Sequence, residues 1–143
     1  MSKEFFKLTV QNYSQIFFLL LLISCKSNAL QSVTKSDFDS FIQKAELLID
    51  SDPKAALFLL NSYQGDVSSQ PITSQVNYYR IQSEAYSDQS LYSLSKESAE
   101  IGLKLAKKMN SPSIFIAELA FTKGFAMESL GDLASALELY QNG

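Results

Sequence analysis

The sequence predicts an all-α fold of six helices arranged as about three antiparallel pairs. Three observations carry this. Apolar residues recur at steps of three and four along six separate segments, as one face of a helix requires. Between the segments stand helix stops and caps: Asp52-Pro53, Ser111-Pro112 and Gly131-Asp132. Small residues Gly124 and Ala136 fall one on each of the last two helices, where two helices could cross closely.

The first helix begins after Ser36, which with Asp39 three residues on resembles a capping box. Phe38, Phe41, Ile42, Ala45, Leu48 and Ile49 then form one stripe. Asp52 can cap the second helix, and Pro53 is pre-set for its first turn. Ala56, Leu57, Leu59, Leu60 and Tyr63 continue it. Residues 64–73 read as a loop, because Gly65, Asp66, Ser68, Ser69 and Pro71 favour turns. The third helix is expected over about Ser74–Tyr86, with Val76, Tyr79, Ser83 and Tyr86 on one face. Residues 87–90 break it, and the fourth helix runs to about Met109 through Ala99, Leu103 and Ala106. The fifth carries Ile114, Ile116, Ala117, Ala120, Phe121, Gly124 and Met127. Gly131 suits a helix end that needs positive φ, and Asp132 caps the sixth helix. Phe115 and Phe121 are expected in the core.

The last two segments resemble the tetratricopeptide repeat (TPR), whose pattern is W-x2-L-G-x2-Y followed by A-x3-F. Gly124 stands at the family glycine, Ala136 at the alanine and Tyr140 at the final aromatic. In the third helix Tyr79, Ser83 and Tyr86 fall at the tryptophan, glycine and tyrosine positions, and Ala99, Leu103 and Ala106 follow in the fourth. Ala120, Lys123 and Met127 depart from the pattern, and the spacings Ser83–Gly124 and Ala99–Ala136 exceed the usual period of roughly 34 residues. The resemblance implies a right-handed α-solenoid over residues 36–143, packed through these residues and Gly131, that binds other proteins and does no chemistry. It also implies a concave groove lined by the first helix of each pair, with Tyr78, Arg80, Gln82, Thr122 and Lys123 as candidate contacts. Repeat arrays finish on a helix with a polar outer face, and none is present. Leu133, Leu137 and Tyr140 call for a neighbour, so the last pair is expected to be incomplete and the chain to continue beyond Gly143.

Residues 1–24 read as a signal peptide: Lys3 and Lys7 precede an apolar run over residues 16–23, far short of the roughly 20 residues of a spanning helix. The run ends in Leu22-Ile23-Ser24-Cys25, which resembles the lipobox of bacterial lipoproteins and makes Cys25 the lipidation candidate. Two other readings stay open: ordinary cleavage near Ser27-Asn28-Ala29, and an incidental thiol. Residues 25–35 would be the lipidated cysteine and a polar tether. The resemblance places the protein outside the cytoplasm, on the outer membrane facing the periplasm or free in the periplasm.

Chemistry finds little to stand on. The chain has no histidine, so a cysteine–histidine or serine–histidine nucleophile is excluded within it. One cysteine allows no internal disulfide. A net charge of −3 gives no basic footprint for nucleic acid. Asp37/Asp39 and Asp50/Asp52 lack the calcium-loop pattern and suit helix caps. Lys104, Lys107 and Lys108 suit a helix C-terminus. No metal, cofactor or small-molecule substrate is indicated. The leading expectation is a scaffold that binds a protein or peptide partner, attached to the membrane through its lipid. The alternative is the extracytoplasmic sensor region of a longer histidine kinase or diguanylate cyclase.

Overall fold

The computed structural model describes residues 37–109 and 114–142. Among them are six α-helices, one short 3-10 turn and no strand. The helices are α1 (37–49), α2 (Pro53–Asn61), α3 (Ile72–Asp88), α4 (Tyr92–Ala106), α5 (Ile114–Ser129) and α6 (Leu133–Asn142). None is long and apolar enough to cross a membrane. The signal segment, Cys25, the tether, Ser36 and the Ser111-Pro112 turn lie outside the described residues.

Local chemistry sets the helix ends. The Asp52 carboxylate accepts the Ala55 N–H at 3.0 Å, with Pro53 in the first turn. A side-chain oxygen there satisfies one of the free amides at a helix start. Gly131 has φ +88°, its N–H donates to the Glu128 carbonyl, and the Asp132 N–H donates to Met127, both at 2.9 Å. That pair of bonds is the Schellman motif, which needs a left-handed residue at this point. Asp132 then accepts the Ser135 N–H at 3.3 Å to start α6.

Ser90 ends α3 in the same way, and the sequence reading did not single it out. Its φ is +59°, its N–H donates to Ser87 at 2.8 Å, and the Leu91 N–H donates to Tyr86 at 2.9 Å. A side chain in this conformation costs about 1 kcal/mol relative to glycine. Helix α3 starts earlier and ends later than the spacing predicts. Helix α4 stops at Ala106, and the chain to Met109 is a turn. The loop between α2 and α3 holds the 3-10 turn Val67–Ser69, capped by Asp66 through the Ser68 N–H.

Two apolar clusters hold the helices. The stripe Phe38, Ile42, Ala45 and Ile49 of α1 meets Ala56 and Leu60 of α2 and Tyr78, Ile81 and Ala85 of α3. The second cluster joins Val76 of α3, Ala99 and Ala106 of α4 and Leu119 of α5. Phe38, Leu60, Ile81 and Leu119 are almost wholly buried, and each such side chain contributes about 1.5–3 kcal/mol.

From α2 onward each helix packs on the next, and α3 also packs on α5. Gly102 lets α4 approach closely. A methyl group there would sit 2.8 and 2.9 Å from the two Leu119 δ carbons. Gly124 does the same for α6: the Tyr140 ring fills the space a methyl would need. Phe121 departs from its expected place in the core and is 65% exposed.

Candidate functional site

Helix α3 lies between α1 and α5, and its polar edge ties the three together. The Ser74 hydroxyl donates to the Asp39 carboxylate of α1 at 2.7 Å. Three residues on, Asn77 donates to Glu46 of α1 at 3.2 Å. Arg80 follows, with its side chain only 8% exposed. Its guanidinium binds Glu46 of α1, Glu84 of its own helix at 3.4 Å and Glu118 of α5 at 3.4 Å. Nε also donates to Asn77 at 2.9 Å, and the Phe115 ring lies 5.3 Å from the guanidinium carbon. One cation on α3 therefore serves carboxylates on both neighbouring helices.

Three carboxylates share that single cation, so the surface is net negative. Glu84 shows the consequence. Burial raises its pKa, and Asp88, Asp50 and Glu118 add to the rise against the opposing pull of Arg80. The ion-pair geometry alone would suggest a lowered value. Burial prevails because the guanidinium is divided among three partners and lies closest to Glu46. Beside this row is a shallow depression of about 260 Å³ between Asp39, Gln43, Ser74, Asn77 and Phe115. Residues from α1, α3 and α5 all line it. It presents hydrogen-bonding groups and one aromatic ring to solvent.

The five side chains that the sequence suggested for a groove are not gathered here. Tyr78 is buried in the first cluster, its ring 6.1 Å from Phe38. Burial raises its pKa, and the hydrogen bond from Gln82 opposes the rise. Gln82 turns toward α4, where it accepts the Ser98 hydroxyl at 3.0 Å. Lys123 also points to α4 and pairs with Glu100 at 3.1 Å. Thr122 donates to the Glu118 carbonyl of its own helix at 3.0 Å. Only Arg80 sits on the α1/α3/α5 surface. Glu46, Asn77, Phe115 and Glu118 were missed. The one local signal was the Arg80/Glu84 spacing of four residues along a helix.

The residues expected to pack the repeats are distributed as follows. Ser83, Ala99, Ala106, Ala120, Gly124 and Ala136 are buried, and Tyr79, Tyr86 and Leu103 are half-buried. The Ser83 carbonyl accepts the Ser95 hydroxyl of α4 at 2.8 Å. Tyr140 lies against Gly124 yet keeps 41% of its surface exposed, and its pKa is raised by burial and by the nearby Glu128. Gly131 is exposed at its turn. Set against known proteins, the chain matches no family, no curated protein and no solved structure.

Proposed function

We propose that this chain is a non-enzymatic binding module, a TPR-like α-solenoid whose α1/α3/α5 surface receives a segment of a partner protein. One observation supports the reading most. The first helices of three successive pairs lie side by side and share a polar, net-negative surface, joined by Arg80 to Glu46 and Glu118. Such a surface suits an extended or helical segment, because it offers hydrogen bonds along its length and a rigid floor. The lipobox-like sequence ending at Cys25 supports an exported, membrane-attached protein, in which the module would serve as a scaffold in the cell envelope.

The test is site-specific photo-crosslinking in the native cell. A photoreactive residue replaces Asn77 or Gln43 on the proposed surface, or Phe58 on α2, which is exposed elsewhere. The reading predicts one discrete adduct from positions 77 and 43 and none from 58. Adducts of equal yield from all three positions, or none from 77 and 43, would contradict it.

A further inference from the structure

The surface shared by α1, α3 and α5 carries more negative charge than its ion pairs use. Asp39, Glu46 and Asp50 fall at i, i+7 and i+11, one stripe running along α1 to the residue that follows it. Asn77, Glu84 and Asp88 repeat those steps on α3. Contacts set the two stripes in parallel register: Asp39 meets Ser74, and Glu46 meets Asn77 and Arg80. Glu118 of α5 joins through Arg80. Six carboxylates (Asp39, Glu46, Asp50, Glu84, Asp88 and Glu118) thus border a strip whose one cation, among the described residues, is Arg80. Lys44 stands roughly a third of a turn off the α1 stripe. Lys123 of α5 is paired with Glu100 of α4.

Arg80 cannot serve an incoming group. Its side chain is 8% exposed and already held by Glu46, Glu84 and Glu118, which are themselves 39–44% exposed. The cation is shut in while its carboxylates reach solvent. Nor does it neutralise them: at Glu84, burial together with Asp88, Asp50 and Glu118 outweighs its pull. At the Asp39 end, the depression of about 260 Å³ has room for one long side chain. Ile42 and Phe115 in its lining offer apolar contact to methylenes, and Asp39, Gln43 and Asn77 offer polar groups to a charged head.

Resting on the reading of this face as a partner-binding surface, we propose that its occupant is a cationic protein segment, with lysine or arginine side chains set along the strip. Charge complementarity selects it. An acidic segment would meet the carboxylates and a cation it cannot reach. An apolar segment would strip water from half-exposed carboxylates and return no hydrogen bond. Asp39 and Asp50 stand eleven positions apart, roughly 16 Å along the helix axis. An extended segment covers that length in about five residues. Basic residues about four to six apart therefore reach both ends of the strip, the first with its stem in the depression.

The test is a nitrogen–proton correlation NMR titration of the full chain at low salt. The probes are a short peptide of alternating arginine and serine and the same peptide with glutamate for arginine. The proposal predicts that the arginine peptide shifts the side-chain amides of Gln43 and Asn77 and the backbone amides of Asp50, Glu84 and Asp88, and leaves those of Phe58 and Glu97 in place. Asp50→Asn with Asp88→Asn should raise Kd about fivefold, as the loss of two exposed charge contacts allows. Neither residue is an ion-pair partner of Arg80. Glu97→Gln with Glu128→Gln makes the same change of net charge elsewhere and should leave Kd unaltered. Shifts spread over α2 and α4, an equal loss in both double variants, equal binding of the glutamate peptide, or no shift at all would each overturn the proposal. Photo-crosslinking then separates it from the reading beneath. Adducts from positions 77 and 43 would leave the binding surface standing with a partner of other chemistry, and their absence would remove both.

Discussion

Replacing Arg80 with methionine tests the central ion cluster. Methionine keeps most of the aliphatic stem and a contact with Phe115 but removes the charge. Glu46, Glu84 and Glu118 then face one another without a cation. Removing one member of a fully buried ion pair costs about 3–5 kcal/mol, whereas exposed pairs contribute about 0–1 kcal/mol. The carboxylates here are 39–44% exposed, so water can recover much of their solvation. The expected loss therefore falls between the two limits, at about 2 kcal/mol, or on the order of 10 °C in Tm. Urea unfolding followed by far-UV circular dichroism measures it. The loss should shrink in acid, because Glu84, whose pKa burial raises, then takes up a proton and ceases to repel its neighbours. Glu118→Gln in both backgrounds gives the coupling across α3 and α5. A variant as stable as the parent at pH 7, or a loss that does not change with pH, would refute the electrostatic reasoning.

Three further substitutions probe other parts of the fold. Ser90→Gly relieves the left-handed backbone at the end of α3 and should stabilise the protein by about 0.5–1 kcal/mol in the same urea assay; a loss would mean that the serine side chain matters more than its φ. Gly102→Val drives a branched side chain into Leu119 and should destabilise by about 1–3 kcal/mol, while Gly102→Ala loses less because alanine favours helix; no loss in thermal unfolding for the valine variant would show that α4 and α5 are not in close contact. Glu84→Gln addresses pH. The folded-state pKa of Glu84 lies above its ordinary value of 4.5, so its protonation favours the folded protein. Its favourable contribution is complete below pH 4.5 and disappears as the pH rises through the raised folded value. Glu84→Gln should flatten that part of the stability–pH curve, and an unaltered slope would contradict the assignment.

The local features of the fold were legible in the sequence, and the long-range ones were not. The α1 stripe reads directly, because a helix that buries one face repeats its apolar residues at helical steps. The Asp52 cap and the Gly131–Asp132 junction read equally well, since each depends on neighbours a few residues away. Tyr78 and Tyr79 show where the reading stops. Tyr79 was expected inside and Tyr78 outside, yet Tyr78 is the more buried. Helix α3 packs on α1 and α2 on one side and on α4 and α5 on the other. A helix covered on several sides buries most of its circumference, and one apolar stripe no longer marks its core face. The Arg80 cluster was invisible for a related reason. Glu46 and Glu118 are distant in sequence, and only the stacking of α1, α3 and α5 sets them around one guanidinium. Gly102 carries no sequence signal apart from being a glycine within a helix, which costs about 1 kcal/mol there and calls for a packing reason.

The side-by-side placement of α1, α3 and α5 underlies the proposed binding surface, and nuclear Overhauser spectroscopy in solution tests it most directly. The structure predicts cross-peaks from the Phe115 ring protons to the Arg80 side-chain methylenes, and from the Leu119 methyls to the Gly102 α protons. Their joint observation would establish that α5 packs against α3 while also contacting α4. Leu119–Gly102 cross-peaks without any between Phe115 and Arg80 would contradict the shared surface, and the binding reading would lose its structural basis.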